Sequence, residues 1–157
     1  MRFPKISTKS LTGVEYQLPD QLPAQRTAVI LAFYQRHQSD VDQWISALVA
    51  AGVPPTVSGL SAEANTAVIE VPVLKRRWGP VRPLIDGGMA SGIGDPDINA
   101  RTWTSYTDVQ QVLDSLSLNG DETIIVVVAE RDGTILTVHR DQPTPDSIAD
   151  VLSALSQ

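Results

Sequence analysis

The stretch Thr27–Trp44, TAVILAFYQRHQSDVDQW, constrains the fold more than any other part of the chain. Thr27–Tyr34 is β-branched and apolar on both faces, the pattern of a central strand covered by helices on either side. After a polar segment, Gln35–Asp40, the residues Val41, Trp44, Ile45, Leu48 and Val49 recur at i, i+3, i+4, i+7 and i+8. They form one apolar helical stripe. Ser39 is the expected N-cap, with Asp40 and Asp42 at the positive end of the helix and Gly52 as its stop. A strand passing into a helix in this way puts the connecting loop at the strand's carboxyl end, where open α/β sheets hold their sites. The first candidate site is therefore this loop, with Tyr34, Gln35, Arg36, His37, Gln38 and Asp40.

The flanking sequence supplies the rest of a mixed sheet. Leu11-Thr12-Gly13 followed by Val14, Tyr16 and Leu18 predicts a half-buried hairpin around a glycine turn. Beyond the Pro54-Pro55 break, Val53–Gly59 reads as short and extended, and Ser61–Asn65 as one helical turn. Ala67–Val71 is a strand, expected to close at Pro72. Trp78–Asp86, with Pro80 and Pro83, predicts at most a short helix. Residues 87–104, rich in Gly, Asp and Asn and without periodicity, read as a long loop. Thr107-Asp108-Val109-Gln110 predicts a capping box opening a helix that ends at Asn119-Gly120. Glu122–Ala129, the turn Arg131-Asp132-Gly133 and Thr134–His139 form a hairpin. Thr144-Pro145-Asp146 then opens a last helix with Ile148, Val151, Leu152 and Leu155 on one stripe.

Length and composition exclude several classes of function. At 157 residues the chain suits a single domain over residues 1–157. It has no cysteine, which removes disulfides, thiolate metal sites and every thiol redox cycle. Net charge is −6. Residues 1–78 hold 8 basic and 6 acidic groups, residues 79–157 hold 4 and 12, so nucleic acid, which needs a basic face, is not an expected partner. Lys75-Arg76-Arg77 is a local basic spot that reads as a solvated strand end. No apolar run reaches the ~20 residues of a membrane span, and MRFPKIST lacks the apolar core of a signal peptide. A cytoplasmic location is the expectation.

Three pieces in order, LTGVEYQLPDQL, VILAFYQRHQSDV and VVVAERDGTILTVHRD before a terminal helix, resemble the thioredoxin superfamily, closest in outline to its peroxiredoxin-like and periplasmic thioredoxin-like branches. The resemblance implies an α/β three-layer sandwich with a mixed central sheet, helices on both faces and an N-terminal β-hairpin. It also implies that a Cys-x-x-Cys pair would open the helix after the aromatic-ended strand, and here those positions are Gln38 and Val41. The family's cis-proline neighbourhood reads Asp121-Glu122-Thr123-Ile124. Both parts of a dithiol site are thus missing. The segments Arg82–Met89, Tyr106-Thr107-Asp108 and the final hairpin are similar to the thioredoxin-like assembly-factor family that helps build the membrane sector of ATP synthase, which also lacks the redox pair.

The remaining polar motifs favour recognition over reaction. His37, Ser39 and Asp40 name the parts of a triad, but adjacent residues at a helix start project in different directions, so His37 reads as a solvated loop histidine. His139 has no second ligand at metal spacing. Gly87–Asp95 lacks the Gly-Lys-Ser/Thr ending of a phosphate loop, and Asp86, Asp95 and Asp97 lack EF-hand spacing. Neither a cofactor nor a metal is expected. Trp78, Met89, Trp103 and Tyr106, with Arg82 and Arg101 nearby, have the composition of a protein contact patch or of a cover over the core, and of a lid over Gln35–Asp40. The expected function is a non-redox module that binds a protein or peptide, with homodimerisation as a further possibility. The alternative is a cysteine-free enzyme or small-ligand binder using His37, Asp40 and Arg82.

Overall fold

The computed structural model describes residues 1–57 and 64–157. The helical turn expected at Ser61–Asn65 falls largely on residues outside that range. Seven strands form one mixed sheet: β1 (Ile6–Ser10), β2 (Glu15–Leu18), β3 (Arg26–Ala32), β4 (Thr66–Lys75), β5 (Trp103–Thr107), β6 (Ile125–Glu130) and β7 (Ile135–Arg140). Their order across the sheet is β2-β1-β5-β4-β3-β6-β7. β3 runs parallel to β4, and β4 to β5, while every other neighbouring pair is antiparallel. The α-helices among the described residues are α1 (Gln38–Ala50), α2 (Arg82–Ile93), α3 (Pro96–Ala100), α4 (Val109–Ser115) and α5 (Pro145–Leu155).

The sheet divides the core in two, and strand alternation assigns the residues. Val29, Leu31, Ile69, Val71, Val127 and their neighbours pack with Val112, Leu113 and Leu116 of the α4 region. Ala28, Ile30, Val68, Val126 and Val128 pack on the opposite face against Val41, Trp44, Ile45 and Leu48 of α1 and Val151 and Leu155 of α5. Trp44, fully buried, donates its indole N–H to the Asp141 carbonyl at 2.8 Å, so its one polar atom is satisfied. The three-layer α/β architecture and the N-terminal hairpin agree with the sequence expectation.

Several element boundaries differ from that expectation, each for a local reason. β4 continues through Pro72 to Lys75 because Pro72 lies opposite Ala32, where β3 ends, and the last residues pair with β5 instead. Asp108, not Thr107, caps α4 by accepting from the Gln111 N–H at 3.2 Å; Thr107 is occupied as the last residue of β5. That helix stops at Ser115, and Ser117 takes a left-handed φ of 56°, ahead of Asn119-Gly120. A 3-10 turn over Gln35–His37 precedes α1, which begins at Gln38, so Ser39 lies inside the helix and does not cap it.

The largest correction concerns residues 87–104, which are not a long loop. α2 runs to Ile93, Gly94 stops it with φ 71°, Asp95 caps α3, and β5 begins at Trp103. None of the twelve residues of α2 is fully buried; Ile85, Met89 and Ile93 are half-buried, so its apolar stripe is short and diluted by Gly87, Gly88 and Gly92. Polar contacts help to hold α2: Arg82 and Asp86 bind β5, and Asn99 Nδ2 donates to the Ala90 carbonyl at 3.2 Å.

Candidate functional site

β3 delivers Phe33 and Tyr34 to the carboxyl end of the sheet, and the 3-10 turn swings His37 back beneath them. His37 is 3% exposed, not solvated. The Phe33 backbone N–H donates to its Nδ1 at 3.1 Å, which places the ring proton on Nε2, where it donates to the Glu122 carbonyl at 3.1 Å. Both ring nitrogens are consumed in tying the β3–α1 connection to the segment before β6. Phe33 and Tyr34 meet the imidazole edge-on, at centroid distances of 6.2 and 5.4 Å. The Asp121–Ile124 neighbourhood therefore faces the loop, held by a histidine.

The two positions of the absent thiols are also structural. Val41 is fully buried in the α1 face of the core. Gln38 reaches from the surface, its Nε2 donating to Asp42 Oδ1 at 2.9 Å and to Glu70 Oε1 at 3.0 Å. Glu70 is 4% exposed in the middle of β4, and burial pushes its pKa up to about 7. The Gln38 amide and Arg101 oppose that shift, and Asp42 adds to it. Sequence reasoning passed over Glu70, although a lone carboxylate inside the apolar run Ala67–Val71 is the signal that could have found it.

Tyr34 and Arg36 are among the groups that reach solvent around the loop. The Tyr34 hydroxyl donates to Asp121 Oδ2 at 2.6 Å, and this hydrogen bond raises the phenol above its ordinary pKa. Arg36 stacks over the Tyr34 ring at 4.3 Å and lies 3.7 Å from Glu122. Gln35 is exposed beside them, and Asp40 is half-buried in the first turn of α1. Next to Asp121 a cleft of about 540 Å³ opens between the ends of β4 and β5 and the start of α4, lined by Lys75, Arg76, Thr107, Asp108, Gln110 and Asp121. The Lys75-Arg76 spot thus borders this cleft.

The second group of candidates lies elsewhere and is divided. Trp103 is fully buried, stacked on Tyr16 at 3.9 Å with its indole N–H on the Ala100 carbonyl, so it belongs to the core and not to a contact patch. Tyr106 donates to Asp86 Oδ1 at 2.7 Å, and burial, with Asp86, raises its phenol far above the ordinary range. Arg82 donates to Asp86 Oδ2 at 3.2 Å and to the Thr104 carbonyl at 2.8 Å. These contacts dock α2 on β5, and none of them makes it a lid over Gln35–Asp40. Met89 is half-buried in α2, whereas Trp78 is exposed, with Arg77 over its ring.

His37 is fixed to Phe33 and Glu122, and Arg82 to Asp86 and Thr104, so the structure holds these two side chains in separate hydrogen-bond networks. Gly87, Gly88 and Gly92 lie within α2 and Gly94 ends it, so they form a helix and not a phosphate-type loop, and Asp86 is engaged by Arg82, Thr104 and Tyr106 while Asp95 caps α3. Among the described residues no group of three or more acidic or histidine side chains is placed to hold a metal ion.

The sheet, the helix after β3 and the final hairpin define a thioredoxin-like fold, here in a chain without cysteine. Solved structures that it matches include a member of the Sco family of cytochrome c oxidase assembly proteins, at 12% identity and TM-score 0.61, covering 99% of this chain and 94% of that one. A thioredoxin peroxidase from Plasmodium yoelii matches at 10% identity and TM-score 0.57 over 99% and 87% of the two chains. A putative thiol:disulfide interchange protein, DsbE, from Chlorobium tepidum matches at 17% identity and TM-score 0.53 over 98% and 95%. No family model matches the chain, and no curated protein sequence is significantly similar to it. Thiol–disulfide exchange and thiol peroxidase chemistry have no nucleophile in this chain.

Proposed function

We propose that this chain is a non-redox thioredoxin-like module that binds a protein or peptide at the carboxyl ends of β3, β4 and β5, through Tyr34, Gln35, Arg36 and the adjoining cleft. The observation that carries this reading is the state of the Gln38 and Val41 positions and of the loop before them. His37 has both nitrogens tied to backbone, Gln38 is engaged by Asp42 and Glu70, and Val41 is sealed in the core. What projects is a tyrosine with an arginine stacked on it, bordered by Lys75 and Arg76, a set suited to gripping a chain and lacking a group poised to transform one. In that role the module acts as an assembly or chaperone-like adaptor that holds its partner unmodified.

The test is affinity capture from the native host with wild type beside Tyr34→Ala/Arg36→Ala. Both side chains are exposed, so the variant keeps its fold, which circular dichroism verifies. Loss of captured partners supports the reading. An unchanged capture profile overturns it.

A further inference from the structure

Among the described residues, three exposed large apolar side chains follow closely along the chain: Trp78 at 45% and Val81 at 41% in the 3-10 turn before α2, and Leu84 at 77% in its first turn. They lead into and begin α2, whose outward positions continue as Pro83, Gly87, Gly88, Ser91 and Gly92. A solvent-facing helix face ordinarily carries charge, and this one carries none from Pro83 to Gly92. The fold does not require the glycines, because a Cβ built at Gly87, Gly88 or Gly92 meets nothing within 4 Å. Their effect is to leave the backbone bare for a close neighbour.

The two ends of this face carry opposite charges. Lys75, Arg76 and Arg77 stand at its start and Asp95 and Asp97 at its finish, all exposed and none in an ion pair among the described residues. A uniformly acidic peptide or an anionic lipid surface would satisfy the basic end and be repelled at the other. A second copy of the same face, turned antiparallel, satisfies both.

We propose that α2 is the interface of a two-fold symmetric homodimer, in which it packs antiparallel on α2 of a second copy. The contact is isologous, as two-fold symmetry demands. With the axis between Gly87 and Gly88, the midpoint of Arg82–Ile93, Leu84 lies over the second copy's Ser91, the glycines face one another, and Arg76 and Arg77 approach the second copy's Asp97. One helix and its flanks give an interface at the small end of the specific range, roughly 1,000 Å² in total, so association is reversible and concentration-dependent. Arg76 also borders the cleft, so the tests that separate this inference from the cleft's partner are Leu84→Glu and the complementation of charge between two copies.

Sedimentation velocity on the full chain, from low micromolar to near-millimolar concentration, tests it. Wild type is expected to pass reversibly from monomer to dimer, and Leu84→Glu to weaken the dimer by about tenfold or more. Two charge variants add a sharper test: Arg76→Glu/Arg77→Glu, with two acidic ends, and Asp95→Asn/Asp97→Arg, with two basic ends and an Asn that still caps α3. Each alone is expected to stay monomeric, and an equimolar mixture to dimerise. A wild type that remains monomeric throughout overturns the proposal, as does a dimer indifferent to Leu84→Glu or charge variants that fail to complement each other.

Discussion

Replacing Glu70 by glutamine tests the internal electrostatics of this fold most directly. Glu70 is 4% exposed on β4, and burial raises its pKa from 4.5 to about 7. Between these values the folded state holds a proton that the unfolded chain has released. Stability therefore falls as pH rises from about 4.5 and levels off above about 7. A shift of this size corresponds to a penalty on the order of 3 kcal/mol for the ionised carboxylate in the folded protein. Glutamine keeps an oxygen for the Gln38 amide and removes the charge beside Asp42. Glu70→Gln should raise stability by about 2–3 kcal/mol more at pH 8 than at pH 5, or roughly 4–12 °C more in Tm for a chain of this size. Urea unfolding at the two pH values measures the difference. A variant shifted by the same amount at both would show that Glu70 does not titrate in this range and would refute the reasoning.

Three further outcomes follow from the same contacts. His37→Ala leaves the Phe33 N–H and the Glu122 carbonyl without their partner and opens a hole beneath Tyr34; a loss of about 2–4 kcal/mol is expected in denaturant titrations, with faster hydrogen exchange at the Phe33 amide. Asp86→Ala removes the acceptor shared by Arg82, Thr104 and Tyr106, so α2 should loosen from β5. Limited proteolysis should then cut within residues 82–100 well before the rest of the chain, and resistance equal to wild type would contradict the docking described. Gly87→Ala should stabilise the dilute monomer by about 1 kcal/mol, since the helix gains propensity and the new methyl meets nothing within 4 Å; a lower Tm would show that the position is not an unconstrained helical one.

The sequence revealed the elements that bury a face. Thr27–Tyr34 and the Val41–Leu48 stripe were readable because packing against the sheet imposes a period on them, and Thr144-Pro145 because a capped helix start has a local chemical signature. α2 was not readable for the converse reason: a helix whose apolar side chains are at most half-buried has a weak period, and three glycines argue against it on propensity alone. In the candidate site, Gln38 and Val41 could be placed by spacing after the strand. The fixing of His37 could not, since its partner is the carbonyl of Glu122, brought near only by the pairing of β6 with β3. Glu70 was hidden by the assumption that an apolar strand has no polar member. For Trp103 the sequence leaves a contact patch and a core cover open, and the burial of β5 against Tyr16 decides for the core.

The attachment of α2 without a fully buried side chain has a consequence for how this protein can change. Residues that fill a core are constrained by one another, so a substitution at Val29 or Trp44 is felt across the sheet. Leu84, Gly87, Gly88 and Ser91 have no such obligations. Their identities can drift, or be selected, at little risk to folding, while the few groups that pin the helix, Arg82, Asp86, Thr104 and Tyr106, preserve its position. The chain thus separates a part that must be inherited nearly intact from a part on which new surface chemistry can be tried one residue at a time.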